Sequence, residues 1–90
     1  MDKRYSFAPC VAWQIEPTED FVYVLNNHKK EFLHFYDVSK EIWMLLSEGK
    51  TVREIINRLS ESYQVSKDDV EEDVIQFLNT LVEEGVITVQ

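Results

Sequence analysis

Few residues of this 90-residue sequence have the chemistry of a catalytic or metal-binding centre. His28 and His34 are its two histidines, and Cys10 is its one cysteine. A structural zinc site takes four ligands, and no third ligand of a suitable type stands near the two histidines. We therefore expect no metal site, and we interpret Cys10 as a small, half-buried residue near the start of a strand.

The acidic run DDVEEDV, residues 68–74, is the other group that could do chemistry. A calcium loop needs acids at alternating positions, a glycine between them and a closing glutamate. This run lacks that pattern, and we assign it to the capping and solvation of a helix N-terminus. The two glycines, Gly49 and Gly85, form no phosphate-binding loop, and no catalytic signature is present. We expect neither enzyme activity nor a cofactor.

The charge balance narrows the class of partner. The sequence has 17 acidic and 9 basic residues, a net charge of −8. Nucleic-acid binders need a basic surface, and anionic membranes also attract bases, so this balance disfavours both partners. A peptide or protein partner remains compatible with it. No apolar run follows the N-terminal MDKRYSF, so we expect no signal peptide and a cytoplasmic protein.

Length and periodicity predict one domain over residues 1–90, with strands first and helices after them. Alternation in VAWQI (residues 11–15) and β-rich composition in FVYVLN (21–26) predict two strands, and residues 32–36 predict a third. Short polar turns between them favour an antiparallel meander. The closing VITVQ is predicted to be an extended tail that could add a short edge strand.

Three helices are predicted to follow the strands. Asp37 is the expected N-cap of the first, and Gly49 is expected to end it. Residues 51–54, TVRE, match a capping box that begins the second helix. Ser66 is expected to cap the third helix, and Gly85 to end it. The fold class is α+β with a winged-helix-like architecture: a three-stranded meander followed by three helices.

The last helix has more apolar residues than one core contact requires. Val70, Val74, Phe77, Leu78 and Leu81 form one stripe, which Ile75 and Val82 widen. Either this helix packs on two neighbours, or one flank of the stripe lines a groove beside a strand. A role as a DNA recognition helix is disfavoured because its first turns are crowded with acids.

The third predicted strand is bulky and apolar on both faces. As the last strand of the meander it could lie at the sheet edge, with one side of its backbone unpaired. Such an edge is an aggregation hazard unless a partner covers it. A peptide added as a further strand would pair those backbone groups, and pockets beside the last helix would provide specificity.

The sequence from Phe35 to Ile87 resembles the PqqD-like domain over nearly its whole length. The matching positions are Ile42-Trp43, Leu45-Leu46, Gly49, Thr51-Val52, Glu54-Ile55, Tyr63, Asp73-Val74, Phe77-Leu78, Leu81, Gly85 and Val86-Ile87. Most of these positions are core and capping residues.

The resemblance implies a recognition element for ribosomally made, post-translationally modified peptides. Such domains bind the leader segment of a precursor peptide as an antiparallel strand on the third strand, against the last helix. They present the precursor to a separate modifying enzyme or leader peptidase. Carried over by position, the binding residues are Phe32, Leu33, His34, Phe35, Tyr36, Asp69, Val70, Asp73, Val74 and Phe77.

The resemblance also orients the third strand. Leu33 and Phe35 are expected to face the core, and Phe32, His34 and Tyr36 to face outward or toward the ligand. A register slip of one residue would reverse this assignment.

The sequence leaves open which subclass of the PqqD-like family the protein resembles and whether it forms an assembly through the third strand. The turn NNHKKE (residues 26–31) replaces the Pro-Glu-Gly-like turn usual in quinone-cofactor members. The length of the chain resembles the discrete elements of lasso-peptide and related pathways. The alternative function is an interaction or oligomerisation subunit, including a homodimer, that docks the third strand onto an enzyme or a second copy.

Overall fold

The computed structural model describes residues 2–90 of the chain. Its elements, in chain order, are β1 (Tyr5–Phe7), β2 (Val11–Glu16), β3 (Phe21–Asn26), β4 (Glu31–Phe35), α1 (Asp37–Ser47), α2 (Val52–Tyr63), α3 (Lys67–Glu83) and β5 (Ile87–Val89). Strands β2, β3 and β4 form an antiparallel sheet in that order, followed by the three helices. The predicted meander and fold class are thus confirmed. Within residues 2–90, no helix is long and apolar enough to cross a membrane.

A second, two-stranded sheet joins the two ends of the described chain. Strand β1 pairs antiparallel with β5, with Tyr5 opposite Val89 and Phe7 opposite Ile87. The tail therefore does form a short strand, but its partner is β1, which the sequence analysis did not predict. Three residues are too few to show an alternating pattern, and the pairing partner lies at the far end of the sequence.

The core lies between the inner face of the three-stranded sheet and the helices. Trp43 of α1 is fully buried at its centre, where Phe7 stacks on the indole at a ring distance of 4.2 Å. Trp13 meets the same indole edge-on at 6.2 Å. Strand β1 thus contributes to the core through Phe7 and does more than close the chain ends.

The second and third helices begin as their sequences predict. The Thr51 hydroxyl accepts a hydrogen bond from the Glu54 amide at 3.2 Å, and the Thr51 amide donates to Glu54 Oε1 at 2.9 Å. The bond from the Thr51 amide, with a further contribution from the Thr51 side chain, holds the pKa of the Glu54 carboxyl below its usual value because both favour its charged form. Ser66 caps α3 by accepting from the Asp69 amide at 3.3 Å.

Gly49 ends α1 in the left-handed conformation, with φ of 78°. Its amide donates to the Leu46 carbonyl at 3.0 Å, and the Lys50 amide donates to the Leu45 carbonyl at 3.2 Å. This is the Schellman arrangement, which satisfies carbonyls that the last turn of a helix leaves free. The predicted end of the first helix is confirmed.

The start of α1 corrects the sequence analysis. The N-cap is Tyr36, without a side-chain cap, and Asp37 is already the first helical residue. Asp37 has φ of 49°, a conformation that aspartate adopts more readily than most residues. Only Tyr36 separates the strand from the helix, so Asp37 makes the turn with its backbone instead of capping with its carboxylate. The strand accordingly spans Glu31–Phe35 rather than residues 32–36.

Asn26 connects the end of β3 to the end of α3. Its side chain is buried, its Oδ1 accepts from the amides of His28 and Lys29 at 3.0 and 3.2 Å, and its Nδ2 donates to the Glu84 carbonyl at 2.9 Å. Cys10 Sγ, half-buried as expected, lies 3.5 Å from the same Oδ1. One buried amide therefore fixes the β3–β4 turn against the C-terminus of α3.

Candidate functional site

Strand β4 is an edge of the three-stranded sheet. It pairs with β3 in a register that sets Phe35 opposite Val22 and Glu31 opposite Asn26. Over residues 2–90, no strand pairs with its other side. In an antiparallel strand, alternate residues direct their N–H and C=O groups to each side, so this edge presents a row of free donors and acceptors.

The two faces of β4 differ in burial. Phe35 is 8% exposed and Leu33 packs partly buried against the core, whereas Phe32 is 59% exposed and Tyr36 is 49% exposed. His34 is also exposed. The structure therefore has the orientation that was expected: Leu33 and Phe35 inward, and Phe32, His34 and Tyr36 outward.

The outward side chains of β4 continue an aromatic surface on β3. The Phe21 ring lies 4.9 Å from Tyr36, 5.5 Å from His34 and 6.1 Å from Tyr23. Leu25 stands opposite Phe32 across the strand pair. We call this group, Phe21, Tyr23, Leu25, Phe32, His34 and Tyr36, the outer aromatic face.

The members of the outer aromatic face on β3 were not among the residues predicted to bind. The signal was available in FVYVLN, where Phe21, Tyr23 and Leu25 alternate with the buried Val22 and Val24. Both sets are apolar, so composition alone did not separate the core face from the exposed face.

A single aromatic contact joins β4 to α3. The rings of Phe35 and Phe77 meet edge-to-face at 5.3 Å, and Phe35 also contacts Trp43 at 5.5 Å. Phe77 is half-buried, so part of its ring remains at the surface beside the free edge of β4. We call the surface between Phe77 and the free edge of β4 the β4–α3 groove.

The side chains of α3 predicted to bind divide into two groups. Asp69 and Asp73 are exposed, and each is four residues from the next toward Phe77, which places all three along one side of the helix. Val70 and Val74 are 8% and 1% exposed and belong to the core. A molecule in the β4–α3 groove can therefore reach Asp69, Asp73 and Phe77, while the two valines support the groove from beneath.

The site contains binding surface but no metal cluster. Within residues 2–90, no group of three or more His, Cys, Asp or Glu side chains is arranged to hold a metal ion. His34 stands in an aromatic setting beside Phe21 and across from Tyr23, and His28 lies in the β3–β4 turn. What the site offers is an unpaired backbone, apolar rings on both sides of it and two carboxylates along its helical wall.

Comparisons with known proteins identify the family and the fold. The family described as coenzyme PQQ synthesis protein D (PqqD) matches residues 22–87. A search of curated proteins finds no significant match. A similar solved structure is TbiB1 in complex with the TbiA(beta) leader peptide, with 27% identity, a TM-score of 0.85 and coverage of 91% of this chain and 93% of that chain.

A second solved structure has the same fold at lower identity. It is lasso peptide synthetase B1 complexed with the leader peptide, with 19% identity, a TM-score of 0.85 and coverage of 94% of this chain and 98% of that chain. The matched region of the family includes β4, α1, α2 and α3, which together form and support the β4–α3 groove. Because that match spans more than half of the sequence, the chain belongs to the PqqD family.

Proposed function

We propose that this protein binds the leader segment of a ribosomally synthesised precursor peptide and delivers it to a separate modifying or processing enzyme. The observation that carries the proposal is the free edge of β4 next to Phe77. A leader added there as an antiparallel strand would pair the unpaired backbone groups of Glu31–Phe35. The likeness to TbiB1, solved with a leader peptide and 27% identical, supports leader binding as the function.

The two faces of an added strand would meet different surfaces. Alternate side chains of the leader would enter the β4–α3 groove, against Phe77, with Asp69 and Asp73 along its wall. The other side chains would lie beside Phe32, His34 and Tyr36. Backbone pairing would provide affinity that is independent of sequence, and these two sets of contacts would provide specificity.

The proposed role is binding rather than catalysis. We place the whole chain, residues 1–90, in one peptide-recognition domain acting in the cytoplasm, where precursor peptides are synthesised. The net charge of −8 makes nucleic acid and anionic membrane surfaces poor partners. Assignment to a lasso-peptide or related pathway stays a prediction. Identifying the precursor peptide would test it.

A titration followed by NMR tests the proposal residue by residue. The ¹⁵N-labelled protein is mixed with the leader peptide of the precursor encoded beside it, and with a scrambled peptide of equal composition as the control. We expect the leader alone to shift amides of Glu31–Phe35 together with those around Asp73 and Phe77. Absence of shifts, or shifts confined to β1 and β5, would contradict the proposal.

The same free edge favours a second candidate, self-association through β4. Two copies could pair edge to edge and cover the same backbone groups. Sedimentation velocity distinguishes the two: a monomer, or a dimer that the leader dissociates, is expected from a leader-binding protein. A dimer that persists at saturating leader would favour an oligomerisation role instead.

A further inference from the structure

Helix α3 has a second apolar flank that leader binding does not use. Ile75 and Val82 are 39% and 41% exposed, although both extend the apolar stripe of the helix. Ile75 and Phe77 are two positions apart, which at about 100° per residue places them on nearly opposite sides of α3. The exposed isoleucine therefore faces away from the β4–α3 groove.

This flank lines a hollow beside the N-terminal strand. A cavity of about 200 Å³ is formed by Ile75, Leu78 and Asn79 of α3, Val52 of α2, and Lys3 and Tyr5 of the N-terminal segment. We call it the α3–β1 groove. Its size suits one or two side chains of a partner rather than a drug-sized ligand.

The N-terminal wall of the α3–β1 groove is fixed to the second helix. The Val52 amide donates to the Lys3 carbonyl at 3.0 Å, and Arg53 Nε lies 3.0 Å from Asp2 Oδ1. Tyr5 is held by its pairing opposite Val89. These contacts keep the groove formed in the absence of a partner, so a partner would not have to order its wall.

One end of this groove is acidic. Beyond Ile75 and Asn79 the surface continues into a shallower hollow, lined also by Asp68, Glu71 and Glu72. Among residues 2–90, Lys3 is the one basic residue lining either hollow. An apolar pocket with three carboxylates beside it is complementary to an apolar side chain flanked by lysine or arginine.

We propose that the α3–β1 groove docks a cationic, apolar segment of the enzyme that acts on the bound precursor. The proposal rests on the proposed carrier function, since a carrier must contact that enzyme while the leader occupies β4. The two sites lie on opposite flanks of α3 and can be filled together. A second copy of this chain is disfavoured as the occupant because its acidic rim would oppose the same acids.

The test measures leader binding and enzyme binding separately. The processing enzyme encoded beside the precursor is purified, and its affinity for the leader-loaded protein is measured for the wild type and Ile75→Arg. We expect the variant to bind the enzyme roughly tenfold or more weakly, the loss typical of a disrupted interface anchor. Its affinity for the leader peptide is expected to stay within about twofold.

Ile15→Arg is the matched control. Ile15, in β2, is 38% exposed, nearly the same as Ile75 at 39%, so both variants introduce the same charge at equal exposure. The control is expected to leave enzyme binding unchanged. Asn79→Arg, at an exposed position of the same groove, provides a second variant that does not alter an apolar residue.

A pair of charge reversals tests the expected sign of the partner. Glu72 lines the acidic end of the groove, whereas Glu61 is exposed on α2 away from it. Glu72→Lys should slow association with the enzyme more than Glu61→Lys does, most clearly at low ionic strength. Equal effects of the two reversals would contradict a cationic partner.

Three further results would overturn the proposal. Unchanged enzyme affinity in both Ile75→Arg and Asn79→Arg would show that the enzyme docks elsewhere. Weaker leader binding in these variants would assign the groove to the leader instead. A wild-type dimer that Ile75→Arg dissociates would assign it to self-association. Failure of the wild type to bind the leader would, by contrast, refute the carrier function, which the leader titration measures independently.

Discussion

Both faces of strands β3 and β4 are apolar, yet only the inner face packs against the helices. On the inner face, Val22 and Val24 are fully buried against the helices. On the outer face, Phe21 and Tyr23 remain partly accessible and Phe32 largely so. In a chain of 90 residues, the second face is apolar surface without a covering layer. Such surface is typical of binding sites in small proteins.

Phe32 and Phe35 show this difference within one strand. They have the same side chain, three positions apart, but Phe35 is 8% exposed and Phe32 is 59% exposed. Phe35 contacts Trp43 and Phe77, so it joins the sheet to two helices. Removing each ring in turn therefore separates what the sheet contributes to stability from what it contributes to binding.

The largest effect is expected from Phe35→Ala. The substitution leaves a cavity between the sheet, α1 and α3, and we expect a loss of about 3–5 kcal/mol of unfolding free energy. Urea denaturation followed by circular dichroism measures it. A loss below about 1 kcal/mol would mean that the inner face is not the folding face.

Asn26→Ala is expected to have the next largest effect. It removes the partner of the Glu84 carbonyl and of the His28 and Lys29 amides, at a cost of about 1–3 kcal/mol. Asn27→Ala, an exposed neighbour, is the control and should change stability by less than about 0.5 kcal/mol. Similar values for the two variants, measured by denaturation, would show that the buried amide does not hold the hairpin against α3.

Phe32→Ala should affect binding and not folding. The ring is mostly in solvent, so we expect unfolding free energy to change by about 0.5 kcal/mol or less. Loss of the contact beside an added strand should weaken leader binding roughly tenfold. Fluorescence anisotropy with a labelled leader measures the affinity. Wild-type affinity would exclude Phe32 from the site and leave the outer face without its assigned role.

The smallest effect is expected from Leu25→Thr, one strand away from the edge. Leu25 stands opposite Phe32, and losing that cross-strand contact should cost about 0.5 kcal/mol of stability. Leader affinity should fall by no more than about twofold, because an added strand would lie beside β4 and not β3. A loss equal to that of Phe32→Ala, in the same anisotropy assay, would extend the binding surface across the sheet.

The sequence was sufficient to predict the features that depend on neighbouring residues, namely the helix ends and the turns between strands. Two helix starts have a side chain that can cap them, Thr51 and Ser66. Two helix ends have a glycine that adopts the left-handed conformation, Gly49 and Gly85. The meander follows from short polar turns between alternating strands. These features depend on neighbours within a few residues, which is the range that a sequence pattern describes.

The features that the sequence did not predict depend on distant contacts. Strand β1 forms because β5, at the other end of the chain, provides its partner. Asp37 is not the cap because only Tyr36 separates β4 from α1, and Asn26 is buried because its amide reaches Glu84. None of these pairings leaves a local signature.

The sequence analysis predicted the candidate site only in part: it oriented β4 but did not separate buried from exposed residues on α3. The strand is apolar on both faces, so it was the resemblance to the PqqD-like domain that oriented Leu33 and Phe35 against Phe32 and Tyr36. The wide stripe of α3 did not separate core from surface: Val70 and Val74 are buried, whereas Phe77 remains at the groove. Burial on a helix that contacts several elements depends on packing, which helical periodicity alone does not specify.

The one-residue passage from β4 through Tyr36 into α1 limits the length of a peptide strand that could pair with this edge. Glu31–Phe35 is five residues, which at about 3.4 Å each gives a contact roughly 17 Å long. At one end the chain turns into a helix at Asp37, and at the other the Asn26 amide fixes the hairpin turn. The strand would therefore pair with about five residues of a partner peptide. The rest of that peptide would extend beyond the edge without pairing to it.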